Sequence, residues 1–274
     1  MTLPVERLPP GLEIRRAQDR DTTRTDWLDS RHSFSFGQHY DPRNTHHGLL
    51  LANNDDTVAP GTGFETHPHR DMEIVTWVLR GSLAHRDSTG RTGVIRPGLA
   101  QRMSAGTGIR HSERNDARDP VRFVQMWVVP DESGGAPGYA QRDVEAELRS
   151  GALVPVASGL DGQDSAVRIA NRHAGLHAAR LRPGRPAELP DAPFLHLFVA
   201  CGEVELEGAG PLAEGDAVRF TGTGGQRVTA STPAEILVWE MHARIAASPL
   251  CLSIPEATGT RPPASRSGSI SSCS

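Results

Sequence analysis

Two pairs of metal-type ligands, each separated by a single residue, constrain the fold of this sequence more than any other feature. His67 and His69 form the first pair, and His111 and Glu113 form the second. Side chains two residues apart point to the same face of a β-strand. Two such strands facing each other would therefore bring three imidazoles and one carboxylate together. This ligand set suits a divalent first-row metal, with iron(II) prominent among the choices.

The chain between the two pairs is rich in short strand-like runs bounded by turns. Residues 74–79 are β-branched or aromatic, and residues 82–87 begin with alternating apolar and polar side chains. A third run at 92–95 leads into a Pro-Gly turn at 97–98. Short strands with turns at roughly 8–12-residue spacing are typical of an antiparallel sandwich or barrel. We therefore predict an all-β chain.

The residues around both pairs resemble the two cupin motifs. Gly61, the two histidines of the first pair, Glu73 and Gly81 follow the first motif closely, and residues 98–115 approximate the second. Four segments of the amino-acid sequence resemble the pirin branch of the cupins: 29–37, 66–73, 85–88 and 106–113. The resemblance extends from about residue 14 to about residue 241, and it is stronger in the N-terminal half.

The resemblance to pirins implies a bicupin fold, in which two antiparallel β-barrel (jelly-roll) domains pack together. The bacterial pirin-like proteins that this chain resembles include quercetin 2,3-dioxygenases. The implied function is a metal-dependent dioxygenase that cleaves flavonols such as quercetin with dioxygen. The resemblance assigns His67, His69, His111 and Glu113 as the metal ligands. Glu73, a ligand in many other cupins, is expected either to support the site without contacting the metal or to have a structural role.

The same residues imply a division of chemical roles. We expect the three histidines to hold the metal, each donating its remaining ring N–H to a neighbouring acceptor. Glu113 is the predicted catalytic base that takes the hydroxyl proton of the substrate. Iron(II) is the expected cofactor, and manganese, nickel, copper and zinc remain open because nitrogen and oxygen ligands accept all of them.

Two other functions remain open from the sequence. Eukaryotic members of the family act as metal-dependent interaction proteins that tune transcription factors, so the chain could be a non-enzymatic redox sensor with a protein partner. An open apolar cavity above the metal would favour the catalyst, and a surface patch that follows the metal's oxidation state would favour the sensor. An isomerising cupin is a third reading, which the pirin-like second segment weakens.

Composition changes along the chain predict four parts. These are a loose leader, a metal-binding cupin domain, a degenerate cupin domain and a disordered tail, at residues 1–11, 12–134, 135–246 and 247–274. The third part repeats the strand-like runs, and residues 199–206 parallel residues 78–85, but no ligand pair accompanies them. We therefore expect a metal-free second domain that covers the first or shapes its pocket. The tail is rich in Ser, Pro, Gly and Thr, which is typical of disorder.

Charge and hydropathy exclude several classes of function. The net charge of −4 lacks the basic face that direct nucleic-acid binding needs. The sequence shows neither an apolar run long enough for a transmembrane helix nor a secretory signal. Cys201, Cys251 and Cys273 have neither zinc-type spacing nor a disulfide framework. We expect a cytoplasmic protein whose partners are a small aromatic substrate and dioxygen, with no membrane or direct nucleic-acid contact.

Other polar residues carry weaker predictions. Residues 53–56, Asn-Asn-Asp-Asp, have the composition of a loop and lack the ligand pattern of a calcium site. His32 could line the mouth of the metal site, whereas His85 is expected to be structural. Three histidines of the second half are expected to be packed or solvated rather than ligands: His173, His177 and His196.

Overall fold

The computed structural model describes residues 9–245, of which nearly all the regular structure is β-strand. Strands account for 53% and helices for 3%, so the all-β prediction is confirmed. Most of the predicted leader, 1–11, and the whole predicted tail, 247–274, lie outside the described residues. Within residues 9–245, no helix is long and apolar enough to cross a membrane.

The N-terminal half contains a large sheet and a small sheet, with strands numbered in chain order. The N-terminal large sheet has seven strands, in the spatial order β12 (Gly138–Asp143), β9 (Leu99–Ser104), β6 (Glu73–Arg80), β11 (Val121–Val128), β4 (Leu50–Val58), β3 (Leu28–His32) and β2 (Asp21–Arg24). The N-terminal small sheet has four, in the order β5 (Gly63–His69), β10 (Ile109–Arg114), β7 (Leu83–Asp87) and β8 (Thr92–Ile95).

The C-terminal half repeats this arrangement. The C-terminal large sheet has the order β1 (Leu12–Arg15), β20 (Ala217–Thr221), β17 (Phe194–Cys201), β22 (Ala234–Met241), β15 (Ala174–Leu181), β13 (Val154–Ser158) and β14 (Val167–Arg168). The C-terminal small sheet has the order β16 (Pro186–Glu188), β21 (Arg227–Ala230), β18 (Glu203–Leu206) and β19 (Gly210–Ala213). A 3₁₀ turn, Ala17–Asp19, and one short helix, α1 (Glu145–Leu148), complete the described elements.

The two halves exchange their edge strands. β12 follows the N-terminal half in sequence and pairs antiparallel with β9, whereas β1 precedes that half and pairs antiparallel with β20. Each strand therefore fills the same edge position of the opposite large sheet. The predicted domain boundary at residue 134 remains a prediction. Each large sheet includes one strand from the other side of that boundary. The hydrogen-bonded sheets remain open rather than closing into barrels.

Several central strands of the large sheets, such as β6, β11, β17 and β22, are buried on both faces, which explains their long hydrophobic runs. On β11, Val124 and Met126 belong to a core cluster that also contains Leu176, Phe198 and Trp239 of the C-terminal large sheet. Neighbouring side chains of a strand point to opposite faces. The two large sheets therefore pack against each other, and each small sheet covers an outer face, giving four layers.

The loop prediction for residues 53–56 is wrong. These residues lie in the middle of β4, and all four are buried. Asp55 accepts two hydrogen bonds from Arg122, at 2.9 and 3.0 Å, and Asn54 pairs with His32 at 3.0 Å. Partners on other strands hold the side chains of Asn54 and Asp55, so turn-forming composition does not break this strand.

Candidate metal centre

Antiparallel pairing of β5 and β10 brings the two predicted ligand pairs together. His67 lies directly opposite His111, and a β-bulge interrupts the register between His111 and Glu113. The imidazole centroids of His67, His69 and His111 lie between 4.4 and 4.9 Å apart. Each of the three rings offers a nitrogen within 4.8 Å of the others, a spacing that permits binding of one metal ion.

Two buried nitrogens at this cluster have no hydrogen-bond partner. These are Nε2 of His69 and Nε2 of His111. Burying a polar atom without a partner costs about 1–3 kcal/mol, so such atoms call for a bound group. His67 Nδ1 donates to the Glu65 carbonyl at 2.7 Å, which leaves its Nε2 lone pair free. The imidazole set therefore fits a divalent first-row metal.

Burial keeps the imidazoles in the form that binds metals. It lowers the pKa of His69 to about 3, with neighbouring His111 and His67 lowering it further. Burial also strongly lowers the pKa of His111, again with help from His67. Both rings are therefore neutral over the physiological pH range, with a lone pair available.

Glu113 is buried at the edge of this cluster, where two donors from the N-terminal large sheet hold it. Gln125 Nε2 donates to its Oε2 at 2.7 Å, and Thr76 Oγ1 donates to its Oε1 across 3.4 Å. Its carboxylate forms a second group of metal-type side chains with His85 and His111, all three buried. Glu113 thus sits on the His111 side of the site, with Oε1 the less tightly held oxygen.

An apolar wall flanks the metal cluster. The Trp127 ring lies 5.0 Å from His69 in an edge-on contact, and Phe36 packs edge-on against Trp127 at 5.2 Å. His67 and Phe36 are partly exposed, whereas His69 and Trp127 are buried. The side of the site that reaches solvent is therefore lined by an imidazole and aromatic carbon.

His32 and Glu73 lie away from the ligand atoms. His32 is 4% exposed and stacks behind Phe36 at 5.1 Å, so it does not line an opening. Glu73 lies on the face of β6 opposite Thr76, where its Oε2 accepts from Ser104 Oγ at 2.8 Å. Burial raises its pKa. The structure thus places Glu73 in the contact between sheets.

Two family profiles span most of the described chain. The pirin profile matches residues 14–128, and a profile described as the quercetinase C-terminal cupin domain matches residues 156–241. A Mycobacterium tuberculosis protein named "Putative quercetin 2,3-dioxygenase" is 63% identical over 235 residues, which cover 85% of this chain and 96% of that protein. The chain belongs to the pirin family. The resemblance seen in the sequence is confirmed.

Solved structures agree with the pirin assignment. Escherichia coli YhhW, 32% identical, superposes with a TM-score of 0.77 over 85% of this chain and all of that chain. The structure of the same bacterial pirin in complex with nickel(II) superposes with a TM-score of 0.76 at 30% identity, with the same coverage. A pirin-like protein of Caulobacter vibrioides is 40% identical over 184 residues, 66% of this chain and 79% of that protein. The predicted bicupin fold is confirmed.

The sequence alone does not single out Gln125, and it predicts only a structural role for His85. Gln125 lies in an ordinary strand run, and only the packing of the two N-terminal sheets brings it to Glu113. His85 and Asp87 form a third pair with the same one-residue spacing as the ligand pairs. That spacing indicates that His85 and Asp87 lie on the same face of β7.

Proposed function

We propose that this pirin is a metal-dependent dioxygenase that cleaves flavonols such as quercetin with dioxygen. The observation that carries the proposal is the convergence of three imidazoles, two of them with unpartnered buried Nε2 atoms, beside the buried carboxylate of Glu113. The names of similar proteins support the reaction class. We propose His67, His69, His111 and Glu113 as the ligands, and a cytoplasmic location.

The residues of the site have separable roles in this proposal. A first-row metal bound here would supply Lewis-acid polarisation of the flavonol hydroxyl. Glu113 accepts the hydroxyl proton at Oε1, while Gln125 holds Oε2 and fixes the plane of the carboxylate. Phe36 and Trp127 give a flat aromatic substrate an apolar surface to pack against. Ring cleavage by dioxygen then releases carbon monoxide.

Iron(II) is the metal we propose for the native protein. Imidazoles with one carboxylate are typical ligands of non-heme iron(II) sites that activate dioxygen. The same donors accept manganese, nickel, copper or zinc, and the structure of YhhW with nickel(II) is an instance in a similar protein. The experiment below therefore compares all five metals.

The test is oxygen uptake with quercetin after anaerobic reconstitution with each of the five metals. We expect loss of the flavonol absorbance band matched one-to-one by oxygen consumption with at least one metal, iron(II) first. The His67→Ala variant should lose both, because it removes the partly exposed ligand. His242→Ala, an exposed histidine bonded to Glu240, is the control and should keep both. Tight metal binding without oxygen uptake under any metal would overturn the dioxygenase proposal and favour the sensor.

A further inference from the structure

A buried chain of three side chains leads away from His111. His85 Nε2 lies 3.1 Å from Asp87 Oδ2, and His85 Nδ1 lies 3.5 Å from His111 Nδ1. The side chains of His85 and Asp87 have no exposed surface. The proposed ligand set uses neither residue, so their burial beside a ligand needs another explanation.

We propose that Asp87 and His85 are positioning residues that set the tautomer and the orientation of His111 for metal binding. Asp87 holds the proton of His85 on Nε2, so that the lone pair of His85 Nδ1 accepts the Nδ1–H of His111. The remaining nitrogen of His111, Nε2, then carries its lone pair toward the metal. This inference rests on the proposed metal site.

The surroundings of Asp87 make it an anion that only accepts hydrogen bonds. Its Oδ1 accepts from the Thr89 N–H at 2.9 Å, the Thr89 hydroxyl at 2.6 Å and the Arg91 N–H at 3.2 Å. These three donors all point at one oxygen and stabilise the ionised form of the carboxylate. An ionised carboxylate has no proton to donate. The proton shared with His85 therefore belongs to His85 Nε2.

The tautomer of His85 decides that of His111. A neutral His85 with its proton on Nε2 offers only a lone pair at Nδ1. His111 must then donate from its own Nδ1, and the lone pair of His111 moves to Nε2. That nitrogen is the buried atom without a hydrogen-bond partner. The contact between the two Nδ1 atoms, at 3.5 Å, is at the long limit for a hydrogen bond and fits a weak one.

A third residue holds the plane of the His85 ring. Tyr139, on the exchanged strand β12, stacks on His85 with ring centroids 4.6 Å apart and planes 28° apart. The Tyr139 hydroxyl passes over Gly93, where a Cβ atom would lie 2.1 Å from it. Gly93 pairs with His85 across β7 and β8. The ring is thus fixed by a hydrogen bond along its edge and by stacking on its face.

The first test is nitrogen-15 NMR of histidine-labelled, metal-free protein, which reports the protonated ring nitrogen directly. We expect His85 to carry its proton on Nε2 and His111 on Nδ1. A His85 ring protonated on Nδ1 in the wild-type protein would overturn the inference. This measurement needs no variant, so it remains decisive if a substitution prevents folding.

The second test is zinc affinity of Asp87→Asn by competition with a chromogenic chelator. The amide can donate to His85 Nε2 and so shift the His85 proton to Nδ1, where it opposes the His111 Nδ1–H. Loss of a partner that orients a ligand typically costs 10–100-fold in metal affinity, and we expect a fall of that size. Zinc affinity equal to the wild-type value would overturn the inference.

A matched control exists in the C-terminal half. His177 Nε2 lies 2.9 Å from Glu240 Oε2, a largely buried carboxylate–imidazole pair outside both groups of metal-type side chains. Glu240→Gln should change the His177 tautomer and leave zinc affinity at the wild-type value.

The two proposals fail in different ways. Zinc binding and the expected tautomers without flavonol turnover under any metal would refute only the dioxygenase.

Discussion

Two equally buried glutamates differ in their neighbours, and the neighbours distinguish a candidate catalytic residue from a structural one. Glu113 and Glu73 are both 2% exposed. Glu113 faces the imidazole cluster and receives a hydrogen bond from Gln125, whereas Glu73 faces Ser104 at the contact between sheets. Of the two, only Glu113 lies beside the imidazoles of the candidate metal centre.

At the residue scale we predict that Glu113→Gln strongly slows flavonol turnover while the fold persists. The amide keeps the shape and can still bond Gln125, but it cannot accept a proton at ordinary pH. Loss of a general base typically lowers the rate by about 10²–10⁴-fold. The measurement is kcat with the metal content of each sample determined. Glu73→Gln is the control, with kcat near the wild-type value. Full turnover by metal-loaded Glu113→Gln would remove Glu113 as the base.

At the scale of elements, a strand from beyond the predicted domain boundary contacts the surroundings of the candidate metal centre. β12 lies at the edge of the N-terminal large sheet, and its Tyr139 reaches across β8 to the buried His85 ring. Close approach is possible because Gly93 on β8 has no side chain. Strand β8 thus leaves room for the Tyr139 ring because Gly93 has no Cβ atom.

We therefore predict that Gly93→Ala displaces Tyr139 from His85. The new methyl group would lie 2.1 Å from the Tyr139 hydroxyl, so the ring must move. Overpacking of this kind typically costs about 1–3 kcal/mol in the free energy of unfolding. Urea denaturation gives the stability, and the His85 ring NMR signals report the loss of stacking. Gly135→Ala is the control, because nothing lies within 4 Å of a Cβ atom there and its φ is not left-handed. Unchanged His85 signals in Gly93→Ala would contradict the prediction.

At the scale of the whole molecule, the halves are joined by packing of the two large sheets and by buried polar contacts. His47, which precedes β4, places its Nε2 3.0 Å from the carbonyl oxygens of both Leu195 and Phe220. A carbonyl only accepts, so Nε2 carries the proton. Burial, followed by the nearby Arg219, lowers the pKa of His47 to about 4.

Burial of the His47 imidazole predicts a loss of stability in mild acid. The folded-state pKa of about 4 lies below the ordinary value of 6.5. The unfolded chain therefore binds a proton first, and the contribution of His47 is present above pH 6.5 and lost as pH falls through 4. We expect His47→Gln to remove on the order of 2 kcal/mol of the decrease in unfolding free energy between these pH values.

The measurement is urea denaturation of metal-free protein at several pH values from 7.5 to 4. His242→Gln is the control, because that ring is exposed and contacts Glu240 rather than the opposite half. The control should show the same pH dependence as the wild type. If the unfolding free energy of His47→Gln depended on pH as that of the wild type does, His47 would not be a source of the acid sensitivity.

Local patterns of the sequence predicted much of the architecture. The strand-like run 74–79 lies within β6, and the parallel between residues 78–85 and 199–206 corresponds to equivalent links from a large sheet to a small sheet, β6 to β7 and β17 to β18. Such patterns succeed because strand alternation and glycine turns are properties of neighbouring residues. Residues 53–56 failed because their polar side chains find partners on distant strands, which composition does not record.

By itself, the sequence determined the all-β class, the family and the pairing of His67 with His69 and of His111 with Glu113. These follow from a period of two along each strand and from motifs contained within a few residues. Only the tertiary structure decided which strand holds the edge of each large sheet, which donor holds Glu113, and what lies behind His111. Those relations depend on non-local strand pairing and sheet packing, and no spacing along the chain encodes them.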